Sequence, residues 1–186
     1  MKLKKEIKEA RKRSFEFRMI FNKLQASVKA HISKLDPIKT KVKAIARDMD
    51  NQRDRSEFKA YNDKIADNVK MVMAATMVLF EKKIDWLNAK LVVTQPDFID
   101  IIIKFCKFRY IRLEEETVDK LRKYCENPDF DADAIRKDSI VASKICQMIH
   151  LIVEYYNVHK EIEDEREEIR EKSKEMMMIQ SDLETN

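Results

Sequence analysis

An apolar stripe runs without adjustment through the first quarter of the chain: Leu3, Ile7, Ala10, Ser14, Phe17, Phe21, Leu24, Val28, His31, Leu35, Ile38, Val42, Ile45 and Met49, in alternating steps of four and three. That spacing commits the segment to one long helix whose stripe needs a partner helix along its length. At ~1.5 Å per residue, Lys2 to Asp50 extends on the order of 70 Å. Pro37 interrupts the stripe, and Asp36 can cap a helix restarted with Pro37 in its first position, so a kink is expected there. His31 sits on the stripe as a tolerated core-edge histidine rather than a ligand.

A partner strand is hard to build from this composition. The chain has no glycine, where average usage would supply roughly 13. Glycine-dependent phosphate cradles and the primed turns of β-hairpins are thereby excluded, and nucleotide hydrolysis with them. Charged residues make up 39% of the sequence and good helix formers dominate, so the fold class is all-α. Cys106, Cys125 and Cys146 lack CxxC spacing and a histidine in register, which supports neither zinc nor a disulfide framework. His31, His150 and His159 are scattered, and no nucleophile, base and orienting group come together, so no enzyme and no cofactor is expected. The amino-terminal segment lacks a signal-peptide core and no run approaches 18 apolar residues, which points to the cytoplasm and away from membranes.

From Asp48 to Asp63 the stripe fails, in a polar neck. The block from Asn68 to Tyr156 then carries a helix from about Asp63 to Phe80, a short helix WLNAKLVV capped by Asp85, and another from Gln95-Pro96 to near Phe108. A further helix follows Glu114, Glu115 and Glu116, with its bases late, as the helix dipole favours. Asp131 or Asp133 caps a short segment, and from about Ser139 one helix runs to the end. The phrase Pro-Asp-Phe occurs twice, at Pro96 to Phe98 and Pro128 to Phe130.

The final helix repeats Met148, Tyr155, Ile162, Ile169, Met176 and Leu183 at spacing seven, beside a polar column of Ile152, His159, Arg166, Ser173 and Gln180. Such a seam specifies register weakly, so several registers are expected. Residues 1–60 hold 18 Lys and Arg against 8 Asp and Glu, and residues 161–186 hold 4 against 10. Arms of opposite charge attract as they fold back antiparallel. The expected architecture is a small helical head on an antiparallel two-helix coiled coil: an outgoing arm over 1–56, a head over 57–147 and a returning arm over 148–186. The coiled coil is intramolecular and the head monomeric.

Six phrases in collinear order resemble the stalk and microtubule-binding tip of dynein heavy chains: DPIKTKVKAI (36–45), EFKAY (57–61), NVKMVMAATMVLF (68–80), KKIDWLNAKLVVTQPDF (82–98), LRKYCENPDF (121–130) and SIVASKICQMIHLIVEYYNV (139–158). Asp85-Trp86 and Asn127 to Phe130 are closer to axonemal than to cytoplasmic dyneins. The chain departs from the family at several points. Ala66-Asp67 stands near the family's proline pair, the glycine after the first tip helix is missing, Met148 replaces a tryptophan and Asp164 replaces a proline. It begins at Met1 and contains no ATPase ring, as a free-standing protein or as an excised piece of a motor.

The resemblance implies non-catalytic binding to tubulin in microtubules, in the cytoskeleton or the axoneme of a cilium, by a face built from the first, third and last tip helices. Matching bases are Lys70 on the first, Lys120, Arg122 and Lys123 on the third, and Arg136, Lys137 and Lys144 around the last; Gln147 replaces a base. It also implies that sliding of the stalk helices by part of a heptad switches the affinity of the tip. A coiled-coil scaffold for other proteins explains the arms but not the head. Nucleic-acid binding is permitted by KLKKEIKEARKRSFEFR (2–18), but the head is expected to lack a basic stripe interleaved with exposed aromatics, and the basic arm has an acidic partner.

Overall fold

The computed structural model describes residues 2–184, and side chains over 4–182, so Leu3 at the start of the first stripe and Leu183 at the end of the final helix's column lie outside the described side chains. Every regular element among the described residues is helical: α1 (Lys2–Asp48), α2 (Gln52–Lys59), α3 (Asp67–Leu79), α4 (Trp86–Val93), α5 (Phe98–Lys104), α6 (Glu115–Glu126), α7 (Ala132–Ile135) and α8 (Ile140–Glu184). A π-helical turn over Phe105–Arg109 and a 3₁₀ turn over Tyr110–Arg112 follow α5. The chain divides into two compact units, residues 1–36 with 157–186, and residues 37–156.

In the first unit the stripe turns inward. Ala10, Ser14, Phe17, Phe21, Leu24, Val28, His31 and Leu35 are half-buried among exposed neighbours, while Ile7 is exposed. Its partner is the last part of α8, running the other way. Arg13, Glu16, Phe17 and Ile20 line one shallow groove with Lys172, Glu175, Met176 and Ile179. Farther along α1, His31 meets Glu161 and Glu165, which lie earlier in α8. Helix α1 does not restart at Pro37; it continues through that residue, at the cost of the backbone bond that proline cannot donate.

One sequence expectation about this pair is corrected. The half-buried companions of Ile162, Ile169 and Met176 are Glu165, Lys172 and Ile179, following buried Val158, whereas in the expected column His159, Arg166 and Gln180 are exposed and Ser173 alone of this stretch is half-buried. The second column lies three residues after the first, not four. A carboxylate therefore stands in the seam: Glu165 accepts from Ser27 Oγ at 2.5 Å and meets His31 Nδ1 at 3.2 Å. His31 Nε2 lies 3.2 Å from Glu161.

The Ser27 hydrogen bond, aided by His31 and only partly opposed by burial, holds the Glu165 carboxyl below its ordinary value. A depressed folded-state value means stability that is present above the ordinary glutamate range and lost as pH falls through the depressed one. The wild-type chain should thus lose more thermal stability than Glu165→Gln between pH 6 and pH 3. Parallel losses in circular-dichroism melts would show that the carboxylate adds nothing to the pairing.

The second unit is a packed core. Val42 and Ala46 of α1, Met49 just after it, Val72, Met73 and Met77 of α3, and Ile145, Met148, Ile149 and Ile152 of α8 are all buried. An aromatic chain links Phe58, Phe98, Phe80 and Phe105, with ring centroids 4.8, 6.3 and 5.4 Å apart. Both Pro-Asp-Phe phrases end in core anchors, since Phe98 and Phe130 are each 1% exposed. Asp85 caps α4 through the Asn88 N–H at 2.7 Å, and Asp131 caps α7 through the Ala134 N–H at 2.9 Å. The three thiols are free, and burial pushes Cys106 and Cys146 up to about 12, which leaves them unreactive.

Helix α3 ends without the glycine that such ends favour. Glu81 takes φ 55°, while Glu81 N–H donates to Val78 O and Lys82 N–H to Met77 O at 3.0 and 2.8 Å. These two bonds form a left-handed C-terminal cap. A residue with a β-carbon is strained in that conformation. Glu81→Gly should raise the unfolding free energy by about 1 kcal/mol, less what Glu81 gains by accepting from Thr117 Oγ at 3.4 Å. A urea titration in which the glycine variant is the weaker protein would overturn this.

Candidate functional site

The first turns of α3 meet the end of α6 and the link between α7 and α8, elements that carry several of the predicted bases. On one side, Asn68 Nδ2 donates to Asp138 Oδ2 at 2.9 Å, which ties α3 to the link between α7 and α8. Asn127 Nδ2 lies 3.6 Å from Met71 Sδ and brings up the end of α6. On the other side, Lys70 Nζ donates to the Asp63 carbonyl at 3.0 Å and lies 5.4 Å from the centre of the Trp86 ring. Trp86 Nε1 donates to Asp63 Oδ1 at 2.7 Å, so Lys70 is held rather than swinging freely. This cation–π contact was missed in the sequence because Lys70 and Trp86 meet only through the fold.

The seven predicted bases differ in state. Arg136, Lys137 and Lys123 are exposed and form no ion pair among the described residues. Lys120 pairs with Glu116 at 2.8 Å, and Arg122 with Asp119. Counted from α3, the helix that carries these bases is the fourth; the third is α5. The surface is bipolar, since Asp67, Asp129, Asp133 and Asp138 are exposed nearby.

Lys144 points inward. It is 9% exposed, 2.5 Å from Asp54 Oδ2 and 2.9 Å from Asp48 Oδ2, and it donates to the Asp48 carbonyl at 3.2 Å. Asp54 is wholly buried. Burial raises the Asp54 carboxyl, but hydrogen bonds from Lys144, Asn51 and Arg53 outweigh it and hold the group below the usual carboxylate range. Asp48 ends α1, while Asn51 caps α2 and Arg53 and Asp54 lie on it; α2 forms inside the segment expected to be a polar neck.

Helix α2 also fixes the start of α8. Glu57 accepts from Ser139 Oγ and from the Val141 N–H, and Tyr61 shares a 2.7 Å hydrogen bond with Ser139 Oγ. Ser139 in turn caps α8 through the Ala142 N–H at 3.0 Å. Arg136 and Lys137 therefore precede a helix end that is tied down by three side chains.

These features converge on one kind of protein. The family of the microtubule-binding stalk of the dynein motor matches residues 4–185. The chain belongs to this family. Among similar dyneins is human dynein axonemal heavy chain 2, 29% identical over 116 residues, which takes in 62% of this chain and 2% of that one. The Chlamydomonas reinhardtii dynein-1-beta heavy chain of the flagellar inner arm I1 complex is 28% identical over 125 residues, covering 67% of this chain and 3% of that one. This dynein-stalk chain thus spans a few per cent of the length of such heavy chains. The solved microtubule-binding domain of dynein-c shares its fold, with a TM-score of 0.58 and 21% identity over 73% of this chain and 94% of that one.

Proposed function

We propose that this dynein-stalk chain binds tubulin in microtubules, without catalysis, through the end of the head formed by the first turn of α3, the link between α7 and α8, and the last turn of α6. The observation that carries this is the pair Arg136 and Lys137, exposed without an ion-pair partner beside α3, in a member of the microtubule-binding stalk family. Lys70 and Lys123 complete the cationic set, and Lys120 and Arg122 contribute once released from their own acids. Lys144 supports the surface from within. Tubulin's surface is acidic, so these cations orient docking and speed encounter, and added salt weakens it. The likeness to axonemal heavy chains favours axonemal microtubules of a cilium or flagellum as the place of action. For function the chain divides into an outgoing arm over 1–56, a head over 57–147 and a returning arm over 148–186.

Co-sedimentation with microtubules tests this. Arg136→Glu with Lys137→Glu should weaken binding by about tenfold or more, from the sum of several charge contacts turned repulsive. Lys4→Glu, Lys5→Glu and Lys8→Glu together should change it little. Equal losses from both sets mean diffuse attraction and sink the docked surface.

A further inference from the structure

Four bases, Lys104, Lys107, Arg109 and Arg112, fall within nine residues that contain no acid. All four are exposed. Lys107, Arg109 and Arg112 form no ion pair among the described residues. The carboxylate nearest Lys104, Asp100, is already held by Arg55 at 2.9 Å. At their centre Phe108 is 72% exposed, so the head does carry a basic segment around a bare aromatic, contrary to the expectation from sequence.

The backbone explains how that surface forms. In an α-helix Arg109, four residues after Phe105, would share Phe105's buried face. The π-helical turn adds a residue to the circuit, and Tyr110, 1% exposed, takes the inward place instead. Phe105 and Cys106 stay buried while Lys107, Phe108 and Arg109 all point to solvent. The next turn is clamped to α8, where Tyr156 Oη donates to the Tyr110 carbonyl and accepts from the Leu113 N–H, each at 2.7 Å. Tyr156 lies sixteen residues beyond Ile140, about 24 Å along the helix from the end that bears Arg136 and Lys137. The two cationic surfaces are therefore distinct.

We propose that the π-turn surface docks an acidic, extended peptide of a partner protein, with carboxylates against Lys107, Arg109 and Arg112 and an apolar side chain against Phe108. Charge selects the class of partner, since Lys107, Arg109 and Arg112, none of them in an ion pair among the described residues, repel a second copy of the same surface and attract a polyanion. Only Phe108 is bare, with Phe105 and Tyr110 buried. A single platform does not offer the successive stacking that single-stranded nucleic acid uses, which favours a peptide. The surface plays no part in the proposed tip docking, so the two stand or fall separately.

The test is fluorescence anisotropy of the full chain with a labelled peptide of nine glutamates and one central leucine. Lys107→Glu, Arg109→Glu and Arg112→Glu combined should weaken binding roughly tenfold, since each exposed charge contact is modest alone. Phe108→Ala, which removes a mostly exposed ring and keeps the test open should the triple variant unfold, should weaken it a few fold. Arg136→Glu with Lys137→Glu should leave peptide binding within about twofold while it weakens co-sedimentation with microtubules by about tenfold or more. Peptide binding that is unmoved by the Phe108 and triple variants, that falls equally with the tip variant, or that is exceeded by an oligothymidylate of equal charge would overturn the proposal.

Discussion

Lys144→Ala is expected to lower the unfolding free energy by about 3–5 kcal/mol, the range seen when one partner of a buried ion pair is removed. The large effect comes from what remains. Asp54 has no exposed surface, and without the ammonium 2.5 Å away it keeps only Asn51 and Arg53 to offset its burial. Arg53 is itself mostly exposed, so its help is diluted by solvent. Replacing both partners with apolar residues of similar volume, Lys144→Met with Asp54→Leu, should recover most of the loss because neither charge is then stranded. Urea denaturation monitored by circular dichroism gives both numbers. A cost under about 1 kcal/mol for Lys144→Ala would mean that water reaches Asp54 and the pair is no latch. The double variant also separates two roles for Lys144: undiminished co-sedimentation with microtubules places it inside the head, and a loss as large as that of the tip variant places it against tubulin.

Sequence made the local chemistry legible and the long-range chemistry illegible. Asp85 and Asp131 could be read as caps because the bond that each makes closes within three residues. The stripe from Ala10 to Met49 could be read because every position repeats the same demand for cover. Lys144 was taken for a surface base since its carboxylate partner lies 90 residues away in a segment without periodicity. Helix α2 escaped for the same reason: its one large apolar anchor, Phe58, makes sense only against Phe98 and Tyr61. The basic residues around Phe108 were visible as letters, but a π turn leaves no signature in residue spacing, and a regular helix would have turned Arg109 inward.

The returning arm shows how a one-residue ambiguity changes a functional expectation. Columns three or four residues after Ile162 are both mixed in character, so hydrophobicity alone does not choose between Glu165 and Arg166. Packing chooses Glu165, and the weak register expected from His159, Arg166, Ser173 and Gln180 no longer follows. A polar residue in an otherwise apolar seam fixes alignment because any slide strands it, at some expense of stability.

That clamp yields the second large prediction, which concerns one dominant register in place of several. Moving α8 by four residues would take Glu165 from Ser27 and His31, and hydrogen bonds to a charged group are worth about 1.5–3 kcal/mol, or roughly 10- to 150-fold in population. A disulfide between Phe17→Cys and Met176→Cys, which line one groove in the observed register, should form readily in the otherwise unchanged chain. The pair Phe17→Cys with Ile169→Cys, which does not share that groove and reports a slide of seven residues that also parts Glu165 from Ser27 and His31, should form poorly. Adding Glu165→Leu should admit the second cross-link, since the seam then lacks the carboxylate that only one alignment pairs with Ser27 and His31. Equal yields of both disulfides before that substitution would show that the clamp has no hold on register. If both cross-linked species form in the Glu165→Leu background, their co-sedimentation with microtubules decides what the register does: different affinities make this stalk a switch held in one position by three polar side chains, and equal affinities make it a spacer.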